Sequence, residues 1–287
     1  FACSVSYTVC AMNLRGEISF DELNRLYAEE GWTIEEIAAH FGCASTTIRR
    51  RMDELGIPAR PRGPHVDRGL EHEWSPELAY AVGLIVTDGN LSSDGRHLTM
   101  TSADYDLLQT FCNCLGLQVS IGKQGGSFDP TGIIYRVQWG DVRFYNWLLD
   151  IGLMPAKSLQ LGRLEIPDEY FADFLRGCID GDGSIVTYDD HYNIFKSEKY
   201  VYERLFVSIV SASRPFLEWA QATVDRLVGV RGALLLRNRG PRYAPISTLK
   251  YAKHDSIRLL KWMYYSPDVP CLARKRDKAL PFLNESN

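Results

Sequence analysis

Long apolar runs are missing from this sequence: stretches such as Leu78 to Val86 stop well short of the roughly 20 residues that a helix needs to cross a bilayer. The N-terminus also lacks a basic region ahead of its apolar residues. The reading is therefore of a soluble, intracellular protein of the cytoplasm or nucleoid, with no membrane partner. Cysteine offers no framework either. The seven (Cys3, Cys10, Cys43, Cys112, Cys114, Cys178, Cys271) are odd in number and include no CxxC pair, which argues against a zinc centre and a disulfide scaffold and for reduced thiols. The chain opens on Phe1 rather than methionine, a hint of a fragment or a processed product.

An overall excess of positive charge is absent too, since the net charge is -4, and taken alone that argues against a nucleic-acid partner. Its distribution argues otherwise. From Arg231 to Lys278 there are twelve Lys/Arg against three acids, a local excess of nine positive charges. With 45% hydrophobic and 24% charged residues in 287, the chain has the composition of a globular protein with one large domain, or a large and a small one.

Residues 17–57 read as a small helical unit. Ser19 or Asp21 opens a helix with Leu23, Leu26 and Tyr27 on one face; Thr33 with Glu36 forms a capping-box pattern ahead of Ile34, Ile37, Ala38 and Phe41; Gly42 breaks that helix; and Ser45 starts a third. In the third, Ile48, Met52 and Leu55 face inward and Arg49, Arg50 and Arg51 mostly outward. Helix, four-residue turn and a helix beginning with small polar residues is the pattern of a helix-turn-helix, which makes Ser45, Thr46, Thr47, Arg49 and Arg50 candidate DNA contacts. A generic helical hairpin has the same composition. The Pro-rich arm over 58–73 carries Arg60 and Arg62, suited to a minor groove or to a stiff linker.

Beyond residue 74 the sequence repeats. Residues 78–90 (LAYAVGLIVTDGN) align with 172–184 (ADFLRGCIDGDGS), matching Gly83 to Gly177, Asp88 to Asp182 and Gly89 to Gly183. Each copy is followed by a strand-like run, a helical pattern, further strands, a tryptophan-bearing helix (Trp147; Trp262) and a lysine (Lys157; Lys275). The second copy is longer, with an expected long loop or hairpin over 186–204. The expected domains are an N-terminal segment (1–16), the helical unit (17–57), the linker (58–73) and two α/β units (74–167 and 168–287).

Ala79, Gly83 and Thr87, and likewise Asp173, Gly177 and Gly181, recur at intervals of four. That predicts a small-residue stripe where one helix packs closely against its counterpart. Gly89 and Gly183 are expected as left-handed helix caps. Two aspartates at neighbouring helix C-termini are electrostatically unfavourable until cations join them. Hard oxygen donors suit Mg²⁺, with Mn²⁺ or Ca²⁺ as substitutes, and such a site beneath a basic surface suits phosphodiester hydrolysis.

The paired motifs AVGLIVTDG (81–89) and LRGCIDGDG (175–183) resemble the double signature of the LAGLIDADG homing endonucleases, over roughly residues 74–283. The resemblance implies a mixed α+β fold of two pseudo-symmetric αββαββα units forming a saddle over DNA. It also implies a monomer that makes a staggered, metal-dependent double-strand break in a long, non-palindromic duplex target. Asp88 and Asp182 would hold the metals, with the carbonyls of Thr87 and Gly181 as further ligands and Lys157 and Lys275 as supporting catalytic positions. The sixth motif position departs from symmetry: Asp180 in the second copy is Val86 in the first. Base contacts would come from alternate strand residues, with Lys123, Gln124, Tyr135, Arg136 and Gln138 as candidates in the first unit and Arg231, Arg237, Arg239, Arg242 and Lys250 in the second.

Two rivals use the same scaffold. A non-cleaving regulator of the WhiA type resembles the combination of such a unit with a helix-turn-helix, but here the helical unit comes first and both aspartates are present. An RNA maturase is the other. An intein is disfavoured by the ending Leu-Asn-Glu-Ser-Asn.

Overall fold

The computed structural model describes residues 18–58, 73–125, 133–192, 201–238, 240 and 244–283. The chain divides into two compact units at Arg62/Gly63. In the first, α1 (Phe20–Asn24) runs into a π-helical turn (Arg25–Glu29), followed by α2 (Ile34–His40) and α3 (Ser45–Leu55). Local chemistry sets these boundaries. The Ser19 hydroxyl accepts from the Glu22 amide at 3.2 Å, and Thr33 and Glu36 complete a capping box, each cap contributing about 1 kcal/mol. Gly42 and Gly56 end α2 and α3 at φ +62° and +71°, where a side chain would be strained. Leu23, Leu26, Tyr27, Ile37, Ala38, Ile48 and Met52 form the core, with Ile34, Phe41 and Leu55 half-buried around it. Arg49 and Arg50 are exposed. Arg51 turns back to donate to the Ile18 carbonyl at 3.2 Å.

The second unit has the expected mixed α+β fold, with one element order used twice. The first copy is α4 (Pro76–Asp88), β1 (Gly89–Leu91), β2 (His97–Ser102), α5 (Tyr105–Cys114), β3 (Gly122–Gly125), β4 (Ile133–Gly140) and α6 (Val142–Asp150). The second is α7 (Phe171–Asp182), β5 (Gly183–Asp190), β6 (Tyr202–Ser211), α8 (Arg214–Val228), β7 (Ala233–Arg237), β8 (Ile246–Tyr251) and α9 (Lys253–Met263), extended by α10 (Ala273–Leu283). The sheets are antiparallel in the equivalent orders β1-β2-β4-β3 and β5-β6-β8-β7. The insertion over 186–204 lengthens a hairpin: β5 and β6 pair from Gly183 opposite Ile209 to Asp190 opposite Tyr202, whereas β1 and β2 pair only from Gly89 to Leu91.

At the centre, α4 and α7 are buried on every side, Ala79 through Val86 in one and Phe171 through Asp180 in the other. In α4, accordingly, no amphipathic stripe stands out. Gly83 and Gly177 face each other so closely that a Cβ on Gly83 would fall on the Phe174 carbonyl, and one on Gly177 on the Tyr80 carbonyl. The small-residue stripe is thus the crossing point of the halves. The two motif-ending glycines correct an expectation. Gly89 and Gly183 are extended rather than left-handed, with φ -79° and -92°. Each helix passes straight into the first strand of its sheet, folding the chain back on its own last turn. A Cβ on Gly89 would lie 2.7 Å from the Ile85 main chain, and one on Gly183 2.6 Å from Ile179 Cα, so glycine is required there for space rather than for its φ.

Candidate metal centre and nucleic-acid interface

The crossing of α4 and α7 brings Thr87, Asp88, Gly181 and Asp182 together at one end of the helix pair. A Cβ on Gly181 would lie 2.6 Å from a carboxylate oxygen of Asp88, so the first helix's aspartate reaches across the second helix's glycine. The Thr87 hydroxyl donates back to the Leu84 carbonyl at 3.1 Å. Its contact with the Asp88 carboxylate, at 3.4 Å, is weak. Burial first, then the charge of Asp182, push the Asp88 carboxyl up to about 7. Burial also raises Asp182, against the pull of Lys157 and Lys275. A divalent cation would relieve both effects, because it supplies the charge that the missing water no longer screens.

The lysines do something the sequence did not foretell. Lys157 and Lys275 are 9% and 5% exposed, and both ammonium groups bind main-chain carbonyls at the ends of the motif helices. Lys157, in a short 3-10 turn (Lys157–Leu159), donates to the Gly89 carbonyl. It follows Ala156, which has a φ of +53°, the one positive value among the described non-glycine residues. Lys275, on α10, donates to the carbonyls of Ile179 at 2.6 Å, Asp180 at 2.7 Å, Gly183 at 2.8 Å and Gly181 at 3.2 Å. A cation over the unpaired carbonyls of a helix C-terminus offsets the negative end of its dipole. Burial lowers the pKa of both lysines, while the nearby carboxylates pull it upward.

This donor set fits a hard divalent ion. It offers two carboxylates and main-chain oxygens, and no group of three or more His, Cys, Asp or Glu that could hold a metal occurs among the described residues. A bound ion would therefore complete its shell with carbonyls, water or phosphate oxygens. Asp182 lines a cleft together with Val86, Thr87, Lys157, Ser158, Leu161, Val210, Ser211, Ala212 and Phe216.

Behind Asp182 stands a buried polar network. Arg176, wholly buried, pairs with Asp173 and donates to the Met263 carbonyl at 2.5 Å and the Pro270 carbonyl at 2.7 Å. Asp180 accepts from the Tyr80 hydroxyl at 2.8 Å and the Leu272 amide at 2.7 Å. Together they fix the segment that starts α10, while Arg274 forks onto Asp104 of the first half at 2.7 and 3.0 Å. The only hint in the sequence was a set of charges inside a helix otherwise too apolar to be exposed. Val86, at the position equivalent to Asp180, makes no polar contact and lines the cleft.

Strand register sorts the candidate base contacts. In the first sheet Arg136 lies opposite Thr101 and Gly122, and Gln138 opposite Thr99, on the face away from the helices; the Gln124 main chain, in β3, pairs with Ile134. The Arg136 guanidinium donates to the Gln138 side-chain oxygen at 2.6 Å. Lys123 and Tyr135 are opposite each other and share the parity of Val137 and Trp139, which face the core, so the register separates them from Arg136 and Gln138. In the second sheet Lys250, opposite Ser208 and Ala233, and Arg237, opposite Ile246, share the outer face; Arg231 precedes β7 and is exposed. Asn90, Thr99 and Thr101 occupy the first outer face and Tyr188, Arg204 and Phe206 the second, none of them singled out by charge counting. In the small unit Thr46, Arg49 and Arg50 are exposed and Ser45 and Thr47 half-buried. Arg60, Arg62, Arg239 and Arg242 lie outside the described residues.

No protein-family model matches the chain, and no curated protein matches its sequence. Solved structures do. Mesophilic variants of the homing endonuclease I-DmoI share 17% identity over 67% of this chain and 96% of theirs, with a TM-score of 0.43. The LAGLIDADG homing endonuclease I-LtrWI, solved bound to its target DNA, shares 11% over 72% of this chain and 89% of its own, with a TM-score of 0.47. Full-length DUF199/WhiA from Thermatoga maritima shares 13% over 75% of this chain, which spans 63% of that protein, with a TM-score of 0.44. Among the described residues no helix is long and apolar enough to cross a membrane.

Proposed function

We propose that this chain is a site-specific endonuclease that uses divalent cations, Mg²⁺ in the first instance, to cut both strands of a DNA duplex. One observation carries the reading: a duplicated helix crosses its own copy at facing glycines and delivers one aspartate from each half, Asp88 and Asp182, to a common, partly desolvated place. Equivalent carboxylates on a pseudo-two-fold suit a substrate whose two strands present one phosphodiester each. The cation would lower the charge on the phosphate and activate water. The side chains of Asp88 and Asp182 would hold it, the Thr87 and Gly181 carbonyls are the further candidates, and Lys157 and Lys275 would keep the helix ends in place. The outer sheet faces would supply base contacts, and α3 of the small unit would enter a major groove as a helix-turn-helix. A monomer in an intracellular setting completes the reading.

The alternative is a regulator that binds DNA without cutting it. It has one observation in its favour: Lys275 already contacts the Gly181 carbonyl, one of the four candidate metal donors. Incubation with a plasmid library and Mg²⁺ or Mn²⁺ decides between them. Linear, staggered-end product from the wild type is expected, falling on the order of 10³-fold in Asp88→Asn and in Asp182→Asn. Specific binding with no cut in any metal makes the chain a regulator. Single-carboxylate variants that nick one defined strand would assign each aspartate to its strand.

A further inference from the structure

The outer faces of the two sheets differ in a way that net charge does not reveal. On the first, β1, β2 and β4 present Asn90, Thr99, Thr101, Gln138 and Arg136, almost all polar. On the second, the matching positions Ser184, Ser208, Thr248 and Lys250 are polar too, but the longer β5-β6 hairpin and β7 add large apolar side chains in the open: Val186 is 42% exposed, Tyr188 50% and Leu235 52%, with Phe206 half-buried between strands. The Tyr188 and Phe206 rings lie 6.3 Å apart, and the Lys250 ammonium sits 3.6 Å over the Phe206 ring, so the aromatic group is one surface with a cation set into it. Neighbouring strands within a domain normally do not leave such residues in water, and an apolar patch with interleaved cations marks a binding surface.

A partner for this face must be both apolar and anionic. A protein helix offers apolar groups without a flanking row of negative charge, and a phosphate surface alone offers charge without apolar groups. The major groove of DNA has both where the bases are thymine, because the 5-methyl group of thymine projects into the groove between two phosphate backbones. We infer that the second sheet reads thymine methyl groups through Val186, Tyr188 and Leu235, so that the half of the target beneath it is rich in A·T pairs, while the polar first sheet reads its half by hydrogen bonds. This rests on the proposal that the chain binds duplex DNA, and it names the sequence class of one half of that target.

The test uses the full chain with a randomised duplex pool in Ca²⁺, followed by sequencing of the bound fraction. Two unlike half-sites are expected, one enriched in thymine. The same selected duplex made with uracil in place of thymine in that half should bind about 5- to 50-fold more weakly, since each lost methyl contact removes a small apolar term; the same replacement in the other half should change binding less than 2-fold. Val186→Ser with Leu235→Ser should abolish the thymine preference in that half alone, with thermal melting of the variant checking that the fold survives. Equal binding of thymine and uracil duplexes overturns the inference and leaves DNA recognition standing. A gain from 5-methylcytosine equal to that from thymine overturns the commitment to thymine. Selection of no sequence at all refutes the DNA reading itself. A concentration-dependent dimer in sedimentation, dissolved by the double variant, would show that the patch is covered by a second copy, and that result also overturns the inference.

Discussion

The two halves of the second unit share an element order and a strand order, yet they secure their aspartates by different means. In the second half Lys275 spreads over four carbonyls, the Leu272 amide just ahead of α10 donates to Asp180, and Arg176 ties the preceding segment down. In the first half Lys157 reaches the Gly89 carbonyl from a strained turn, and Val86 stands where Asp180 would be. Duplication therefore kept the chemistry of the helix ends and let the scaffolding around them diverge. The difference teaches that a residue's role here is set by which carbonyl group it covers, more than by its place in the motif.

The comparison breaks most severely at the crossing itself. Gly177→Ala places a methyl group against the Tyr80 carbonyl, a backbone atom that has nowhere to go, and is expected to cost about 3 kcal/mol, read as a lower denaturant midpoint. Gly83→Ala should behave alike, because the contact is symmetric. Next come the lysines. Lys275→Met leaves a fan of buried carbonyls without their cation and should cost about 3 kcal/mol, whereas Lys157→Met loses one such bond and should cost about 1 kcal/mol. Equal losses in urea titrations would mean that the halves are secured alike after all.

A third effect is set by pH. The Asp88 carboxyl, pushed up to about 7, binds a proton in the folded chain that an unfolded aspartate would already have released. Without metal, stability from this group is greatest below the ordinary carboxylate range and declines as pH rises from about 4 to 7. A divalent cation competes with that proton, so the melting shift on adding Mn²⁺ should be small at pH 5.5 and larger by several degrees at pH 8. A shift that is flat across this range would mean that Asp88 does not hold the ion. Asp88→Asn should flatten it. The smallest effect sharpens the contrast at the first lysine: Ala156→Gly relieves a left-handed alanine and should stabilise by about 0.5 kcal/mol after the entropy that glycine adds to the unfolded chain.

How much of this was legible in advance depends on the range of the interaction. Helix starts at Ser19 and Thr33, the break at Gly42, the repeat, and the close packing at Gly83 and Gly177 follow from residues a few positions apart or from a pattern recurring along the chain. The role of Gly89 and Gly183 was misread, because a helix-ending glycine usually serves a left-handed turn; here the helix runs into a strand and the constraint is a steric one inside the turn. That Lys123 and Tyr135 share the strand parity of Val137 and Trp139 is not legible in composition, which carries no register, since one residue of offset moves a side chain to the other face.

Two equivalent acidic helix ends are legible in the letters alone, because a duplicated spacing of glycine and aspartate recurs along the chain. Their surroundings come from long-range packing. Lys275 lies 96 residues from the Ile179 carbonyl it covers, and Asp180 lies 92 from the Leu272 amide it binds. Contacts that far apart depend on how two sheets, two crossing helices and a terminal helix pack, and no local pattern encodes them.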